Sequence, residues 1–351
     1  MTDQQLSSMQ QPSAGTAAAT MTGIAQDRYG PAPEEVLRTA ELAVPTIADG
    51  QALIRVHAAS VDRGTWHVMA GLPYPIRLAG FGLRRPKYAN PGQALAGTVE
   101  AVGAGVSGFS PGDLVFGIGK AAFAEYALAP VGKLAAKPGS LSFAQAAAVP
   151  ISGLTALQAV RDHGHIQPGE QVLIIGASGG VGSFAVQLAK SAGGEVTGVC
   201  STGKVDEVRA LGADHVIDYT REELTAGNRR YDVILDIGGN RRLSQLRRML
   251  TPRGRLVIVG GETGGRWLGG TDRQIRARLL SIFVGQQLGT FINKENAPDL
   301  ITLREMIEAG TLTPAVDRTY PLNDVPAAIR HLLDGHARGK IVIGVHDADR
   351  T

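Results

Sequence analysis

The chain has 351 residues, 44% of them apolar, which suffices for about two globular domains with real cores. Its 35 basic and 32 acidic residues leave a formal net charge of +3, and aromatics make up 5%, so nucleic acid finds neither a basic tract nor a set of stacking platforms. One cysteine, Cys200, excludes an intramolecular disulfide framework and any multi-cysteine metal site, and no apolar run approaches the roughly 18 residues of a membrane span. A reducing compartment, the cytoplasm by default, is the expected location.

Residues 1–23, rich in Gln, Ser, Ala and Thr, lack the charged start and apolar centre of a signal peptide and the arginines of a transit peptide. They are expected to form a disordered tail, with Met21 as an alternative start. From Gly50 to about Val149 short strands alternate with turns: residues 52–57 and 95–102 are strand-like, and Pro111-Gly112-Asp113 turns the chain into 114–117. This is an all-β segment. After Pro150, apolar strands alternate with helix-length stretches: 171–175 then 182–192, 195–200 then 205–211, 231–237 then 241–250, and finally 255–259. That alternation predicts βαβ units on a parallel, doubly wound sheet. A helix over 323–334 and a strand over 340–345 follow, and their β-rich surroundings predict a return to the first domain.

The strongest chemical signal is the strand 171–175 running into Gly176-Ala177-Ser178-Gly179-Gly180-Val181-Gly182 and an apolar helix. A buried strand that ends in glycines opening a helix brings backbone N–H groups and the positive helix end onto a pyrophosphate. The G-x-G-x-x-G frame reads Ala177, Gly179, Gly182, with alanine in first place. Glycines here also serve simply to pack helix on sheet. The strand before, the helix after and the following βαβ unit supply the context that the fingerprint requires.

An NAD site expects Asp or Glu about 20 residues after the turn, to hold the ribose 2′-hydroxyl. The second strand instead ends in Cys200-Ser201-Thr202-Gly203-Lys204. Hydroxyls and an ammonium without a carboxylate favour NADP(H). Lys204 is otherwise a solvated first-turn residue, and Cys200 reads as an apolar filler.

Motifs run in order through most of the chain: Val56-His57-Ala58-Ala59-Ser60-Val61, Pro91-Gly92 with Ala96-Gly97, Val99-Glu100-Ala101-Val102-Gly103, Pro111-Gly112-Asp113, Phe123-Ala124-Glu125-Tyr126, Ala146-Ala147-Ala148-Val149-Pro150, Gly153-Leu154-Thr155-Ala156, the glycine turn, Leu211-Gly212-Ala213-Asp214, Val216-Ile217-Asp218-Tyr219 and Gly339-Lys340. Through them the sequence resembles the medium-chain dehydrogenase/reductase superfamily, in its zinc-free quinone-oxidoreductase-like branch. The resemblance implies a GroES-like β-barrel domain (24–153 and 312–351) interrupted by a Rossmann NADP-binding domain (154–311), an active site in the cleft between them, and a homodimer. It also implies cofactor contacts from Thr155, Ser178, Gly179, Gly180, Val181, Gly182, Ser201, Lys204, Tyr219, Gly238, Gly260 and Lys340.

The zinc-dependent members of this superfamily carry a cysteine on the first motif, Gly-His-Glu on the second, and a four-cysteine lobe. Here the corresponding positions read Ala59 and Gly92-Gln93-Ala94, and the lobe's cysteines are absent. Three protein ligands cannot be assembled, so no zinc is expected. His163 and His165 form a nominal metal pair, but in a Gly/Pro-containing connection without a third ligand nearby. Without a metal, reduction of a quinone or an α,β-unsaturated carbonyl compound is the better-matched chemistry, because it mainly needs donor and acceptor face to face. Reversible alcohol oxidation and a non-catalytic NADPH-binding role are the alternatives.

The first motif continues with Asp62 where the family usually has Asn, then Trp66 and His67, and Tyr74 beyond. By position Asp62 belongs near the nicotinamide ribose and substrate, or caps a helix. His67 and Tyr74 are candidate catalytic groups, and Trp66 and Gln93 candidate pocket walls. The stretch from Arg266 to Phe291 mixes arginines with apolar residues, the pattern of a membrane-touching helix. The family places it instead near the cleft and a subunit interface, where those apolar residues would be buried.

Overall fold

The computed structural model describes residues 19–225, 229–239, 241–260 and 265–346. Strand β1 (Thr20–Gln26) lies antiparallel to β2 (Leu37–Ala43). Residues 20–23, assigned to the tail on composition, are therefore in a sheet; Met21 is buried by this pairing, and residues 1–18 of that tail lie outside the described residues. Five strands follow: β3 (Gln51–Val61), β4 (Ala94–Val102), β5 (Leu114–Ile118), β6 (Tyr126–Pro130) and β7 (Leu134–Ala136). Strand β3 runs four residues past the expected end at His57, because Ala58, Ala59 and Ser60 pair with Ala96, Leu95 and Ala94 of β4.

The helix Pro150–Gln158, with proline in its first turn, leads into six parallel strands. These are β8 (Gln171–Ile175), β9 (Glu195–Cys200), β10 (His215–Asp218), β11 (Tyr231–Asp236), β12 (Leu250–Ile258) and β13 (Gln287–Thr290), in the spatial order β10-β9-β8-β11-β12-β13. Leu250, read as the end of a helix, opens β12 instead, with the helix ending at Met249. Val172, Leu173 and Ile174 of β8 are all fully buried, as expected of a strand covered on both faces. The order in which strands are added reverses between β8 and β11, which run parallel, and this leaves a crevice beyond their carboxyl ends.

The last strands, β14 (Val316–Pro321) and β15 (Lys340–Gly344), rejoin the first domain: β15 lies antiparallel to β3 and completes a seven-stranded sheet, β14-β15-β3-β4-β5-β7, with β6 against β3. The two sheets share one core. Ala58, Phe116 and Val342 of the β domain belong to the same buried cluster as Leu154, Val172 and Phe184 of the α/β domain. At about 1.5–3 kcal/mol for each buried Val, Leu, Ile or Phe, this shared packing sets how the cleft walls face each other.

Candidate active site

The turn after β8 is shaped by three glycines that do different things. Gly176 sits at φ +86°, where L residues are strained. A Cβ on Gly182 would collide with the Gly176 carbonyl, so only glycine lets the helix Gly180–Ser191 approach the strand. Gly179 is the N-cap of that twelve-residue helix and provides no side-chain cap, and a Cβ there would meet only the Gly176 oxygen, at 3.5 Å. An uncapped helix start beside open space fits a pyrophosphate, with backbone N–H groups of Gly180, Val181 and Gly182 as donors. Ser178 is held from the other domain, its carbonyl accepting the Gly339 N–H at 2.9 Å.

Around the turn the strand ends bring together Ser201 after β9, Tyr219 after β10, Gly238 after β11 and Gly260 after β12. Gly238 donates to the Ile175 carbonyl at 3.1 Å, and a Cβ on Gly260 would strike the Ile237 carbonyl. The Tyr219 ring is exposed. Lys204 is not the solvated residue that its position allowed: its ammonium donates to the Ala337 carbonyl (2.8 Å) and the Gly335 carbonyl (3.3 Å), and burial pushes its pKa below the usual lysine value. A carboxylate does approach the end of β9, from the neighbouring strand. Asp218 Oδ2 accepts the Thr202 hydroxyl at 2.5 Å, while Oδ1 takes the Thr220 N–H and hydroxyl. Sequence spacing hid it, because Asp218 reaches this point only through the β9–β10 register, in which it pairs with Cys200. Burial raises the Cys200 thiol to about 11, which keeps it protonated and unreactive.

On the β-domain wall, Asp62 does one of its two expected jobs visibly. Its Oδ1 caps the helix Arg63–Ala70 by accepting the Thr65 N–H at 3.1 Å, and the Thr65 hydroxyl accepts the Asp62 N–H in return. Its Oδ2 is buried and has no partner among the described residues. Lys340 is fully buried, donates to the Val61 carbonyl at 2.9 Å, and has its pKa lowered by burial against the opposing pull of Asp62. Thr155 directs its hydroxyl to the Ile151 carbonyl.

The other pocket candidates separate. The Trp66 indole donates to the Pro31 carbonyl and packs on the β-domain core, and the His67 ring meets it edge-on at 5.0 Å. His67 Nδ1 donates to the Leu72 carbonyl at 2.8 Å, so in the neutral ring Nε2 is an acceptor and only the imidazolium can give up a proton from it. The Tyr74 ring lies between the Arg77 guanidinium and Trp267. Gln93 lines a cavity of about 220 Å³ together with Val68, Phe81, Tyr88 and Asn90. Among the described residues no group of three or more His, Cys, Asp or Glu is placed to hold a metal ion, and His163 stacks on Phe291.

Two residues of the site had no sequence signal strong enough to single them out. Asn90 is buried and clamps the cavity floor, accepting from Gly92 and Phe123 N–H groups and donating to the Phe123 carbonyl. Asp236, fully buried at the end of β11, forms an ion pair with Arg273, whose guanidinium also reaches the Gly239 carbonyl at 2.5 Å. Asp236 accepts the Gly239 N–H as well, so the pair grips the loop beside the glycine turn at both backbone groups of one residue. Arg273 comes from the helix Thr271–Ser281, in which only Ala277 is buried. The apolar residues of the stretch from Arg266 to Phe291, expected to be buried, divide in the single chain: Ala277 and Leu288 are buried, whereas Trp267, Ile275, Leu279, Ile282 and Phe283 are exposed.

With this geometry in place, comparison with known proteins is specific. A model of the alcohol dehydrogenase GroES-like domain matches residues 48–159, and one described as zinc-binding dehydrogenase matches 211–343. The chain is 32% identical to the mouse mitochondrial NAD(P)H oxidoreductase RTN4IP1 over 91% of its own length and 88% of that protein's. Its fold is similar to the quinone oxidoreductase from Coxiella burnetii (TM-score 0.80, 29% identity, 93% and 100% of the two chains) and to CurK enoyl reductase (0.77, 26%, 92% and 99%). The chain belongs to the medium-chain dehydrogenase/reductase superfamily, in its quinone-oxidoreductase-like branch. It is an NAD(P)H-dependent oxidoreductase with a GroES-like domain and a Rossmann-type parallel sheet.

The two glycines separate folding from binding. Gly182→Ala is expected to lower the unfolding midpoint in urea, whereas Gly179→Leu should keep that midpoint and lose cofactor binding in titration calorimetry. Removing one partner of the buried pair, as in Arg273→Met, should cost about 3–5 kcal/mol in chemical denaturation, and Arg273→Met with Asp236→Asn should recover most of it.

Proposed function

We propose that this chain is an NADPH-dependent, zinc-independent reductase that passes a hydride to a quinone or an α,β-unsaturated carbonyl compound, and that it works as a homodimer. One observation carries the reading: the helix start after β8 is uncapped and glycine-lined, and the turn that opens it is tied to the β domain through the Gly339 N–H on the Ser178 carbonyl. Ala59 and Ala94, at positions where zinc-dependent relatives place ligands, support zinc independence. The printed names of similar proteins, a quinone oxidoreductase and an enoyl reductase, support the acceptor class.

A reduced nicotinamide supplies the hydride when bound in the cleft. The chain's own residues bind and orient. Glycine-turn N–H groups hold the pyrophosphate, and the unpartnered Asp62 Oδ2 accepts from a ribose hydroxyl beside the Lys340 ammonium. Tyr74 and Gln93 offer hydrogen bonds to the oxygen on which charge develops. His67, tied to Leu72 through Nδ1, protonates that oxygen only as imidazolium, so solvent at the cleft mouth shares this role. Lys204 supports the 2′-phosphate because carbonyls alone hold its ammonium; the hydrogen bonds from Thr202 and Thr220 keep the Asp218 carboxylate ionised, so the ammonium has to outweigh that charge. Strand β13 is the sheet edge, and exposed Ile282, Phe283 and Ile292 flank it, which supports pairing with a second copy there.

The test is NADPH oxidation against a panel of quinones, enones and aldehydes, before and after dialysis with a strong chelator. Turnover with quinones or enones that survives the chelator is expected; loss that zinc alone restores refutes the metal-free reading, and turnover confined to aldehydes refutes the acceptor. NADPH should bind at least tenfold tighter than NADH, about 1.4 kcal/mol, and Lys204→Ala should narrow that gap in calorimetry.

A further inference from the structure

We infer that the surface formed by residues 73–87 and 265–268 docks onto anionic lipid bilayers. Two segments distant in sequence build it. The Tyr74 N–H donates to the Arg266 carbonyl at 2.9 Å, the Tyr74 and Trp267 rings meet at 5.1 Å, and Gly269, at φ +53°, lies against Pro73. Beyond Tyr74 the chain folds back through Gly80 and Gly82, both at positive φ, and Tyr29 Oη holds the Phe81 and Gly82 carbonyls at 2.7 Å. This turn pushes Leu78 (77% exposed) and Leu83 (63%) outward, beside Trp267 (74%) and Leu268 (48%).

The charge is one-sided. Residues 63–99 contain five Arg or Lys and no Asp or Glu; of the five, Arg84, Arg85 and Lys87 are exposed, and Arg266 joins them from the second segment. In residues 265–283 the sole carboxylate is Asp272, paired with Arg276 on the following helix. A second copy fits poorly, since a two-fold contact would set this cationic surface against itself. The apolar side chains stand out singly among cations instead of lining a groove, as side chains do when they insert into the headgroup boundary of an acidic bilayer. Docking there brings the segment that lines the Gln93 cavity through Phe81 and Tyr88 against the membrane. An acceptor dissolved in lipid then reaches the pocket without crossing water, a consequence that rests on the reductase reading, whereas the docking does not.

The intact chain is mixed with phosphatidylcholine vesicles with and without phosphatidylglycerol, and bound protein is separated by flotation. Binding to the phosphatidylglycerol vesicles is expected, with loss at about 0.5 M salt and a blue shift of tryptophan emission that Trp267→Phe abolishes. Arg84→Glu with Arg85→Glu, and separately Leu78→Ser with Leu83→Ser, should each lower partitioning about tenfold or more, with NADPH titration unchanged as the check on folding. The inference is overturned by three results: no flotation with anionic vesicles, partitioning indifferent to both double variants, or retention on polyglutamate resin without vesicle binding, which assigns the surface to an acidic protein.

Discussion

The geometry of the cleft depends on one short contact between the two domains, at Gly339 and Lys340. Gly339 donates its N–H to the Ser178 carbonyl inside the glycine turn, and only glycine fits there, because φ is +102° and a Cβ would collide with the Ala315 carbonyl. The next residue, Lys340, carries its ammonium through the buried junction to the Val61 carbonyl, one residue before Asp62. Residues 339–340 thus tie the glycine turn to the β-domain wall that carries Asp62. Burial alone disfavours a charged Lys340, and the nearby Asp62 carboxylate offsets part of that cost.

Backbone geometry builds the cofactor half of the site, and this is why it was legible. Gly176, Gly179 and Gly182 are required by positive φ, open approach and close packing respectively, constraints that act within seven residues and so leave a local pattern. The alternation of apolar runs with helices reported the parallel sheet for the same reason, since β8 is covered on both faces. What the sequence hid was carried by register and long-range contact. Asp218 meets Thr202 across adjacent strands, and Asp236 meets Arg273 at a separation of 37 residues. A carboxylate closing an otherwise apolar strand signals that some partner exists, but nothing local says which arginine supplies it. The tail was overextended because Thr20-Met21-Thr22-Gly23 has a loop-like composition that only pairing with β2 turns into a strand.

The buried Asp236–Arg273 pair also explains how an outward-facing helix stays in place. The helix Thr271–Ser281 buries only Ala277, too little apolar area to anchor it by the hydrophobic effect. Its attachments are polar as well: the Arg273 guanidinium is inserted against a fully buried carboxylate and the Gly239 carbonyl, and the Ser281 hydroxyl joins the Gln286 carbonyl and the Leu288 N–H. The helix is therefore free to show Ile275 and Leu279 to the outside while its inner side fixes the loop after β11. A surface segment and the floor of the crevice become one mechanical unit.

The same division of labour bears on the chemistry. Hydride transfer between two planar partners needs them held face to face, which a rigid backbone cradle and a shared core supply without a dedicated acid. The side chains singled out as catalytic or pocket candidates do structural work: Asp62 caps a helix, His67 holds the Leu72 carbonyl, and Trp66 packs on the β-domain core. Such a site tolerates Asp where relatives have Asn, provided the helix remains capped and one oxygen stays available. On the reading proposed above, acceptor choice lies in the walls of the small cavity at Gln93 more than in any single side chain.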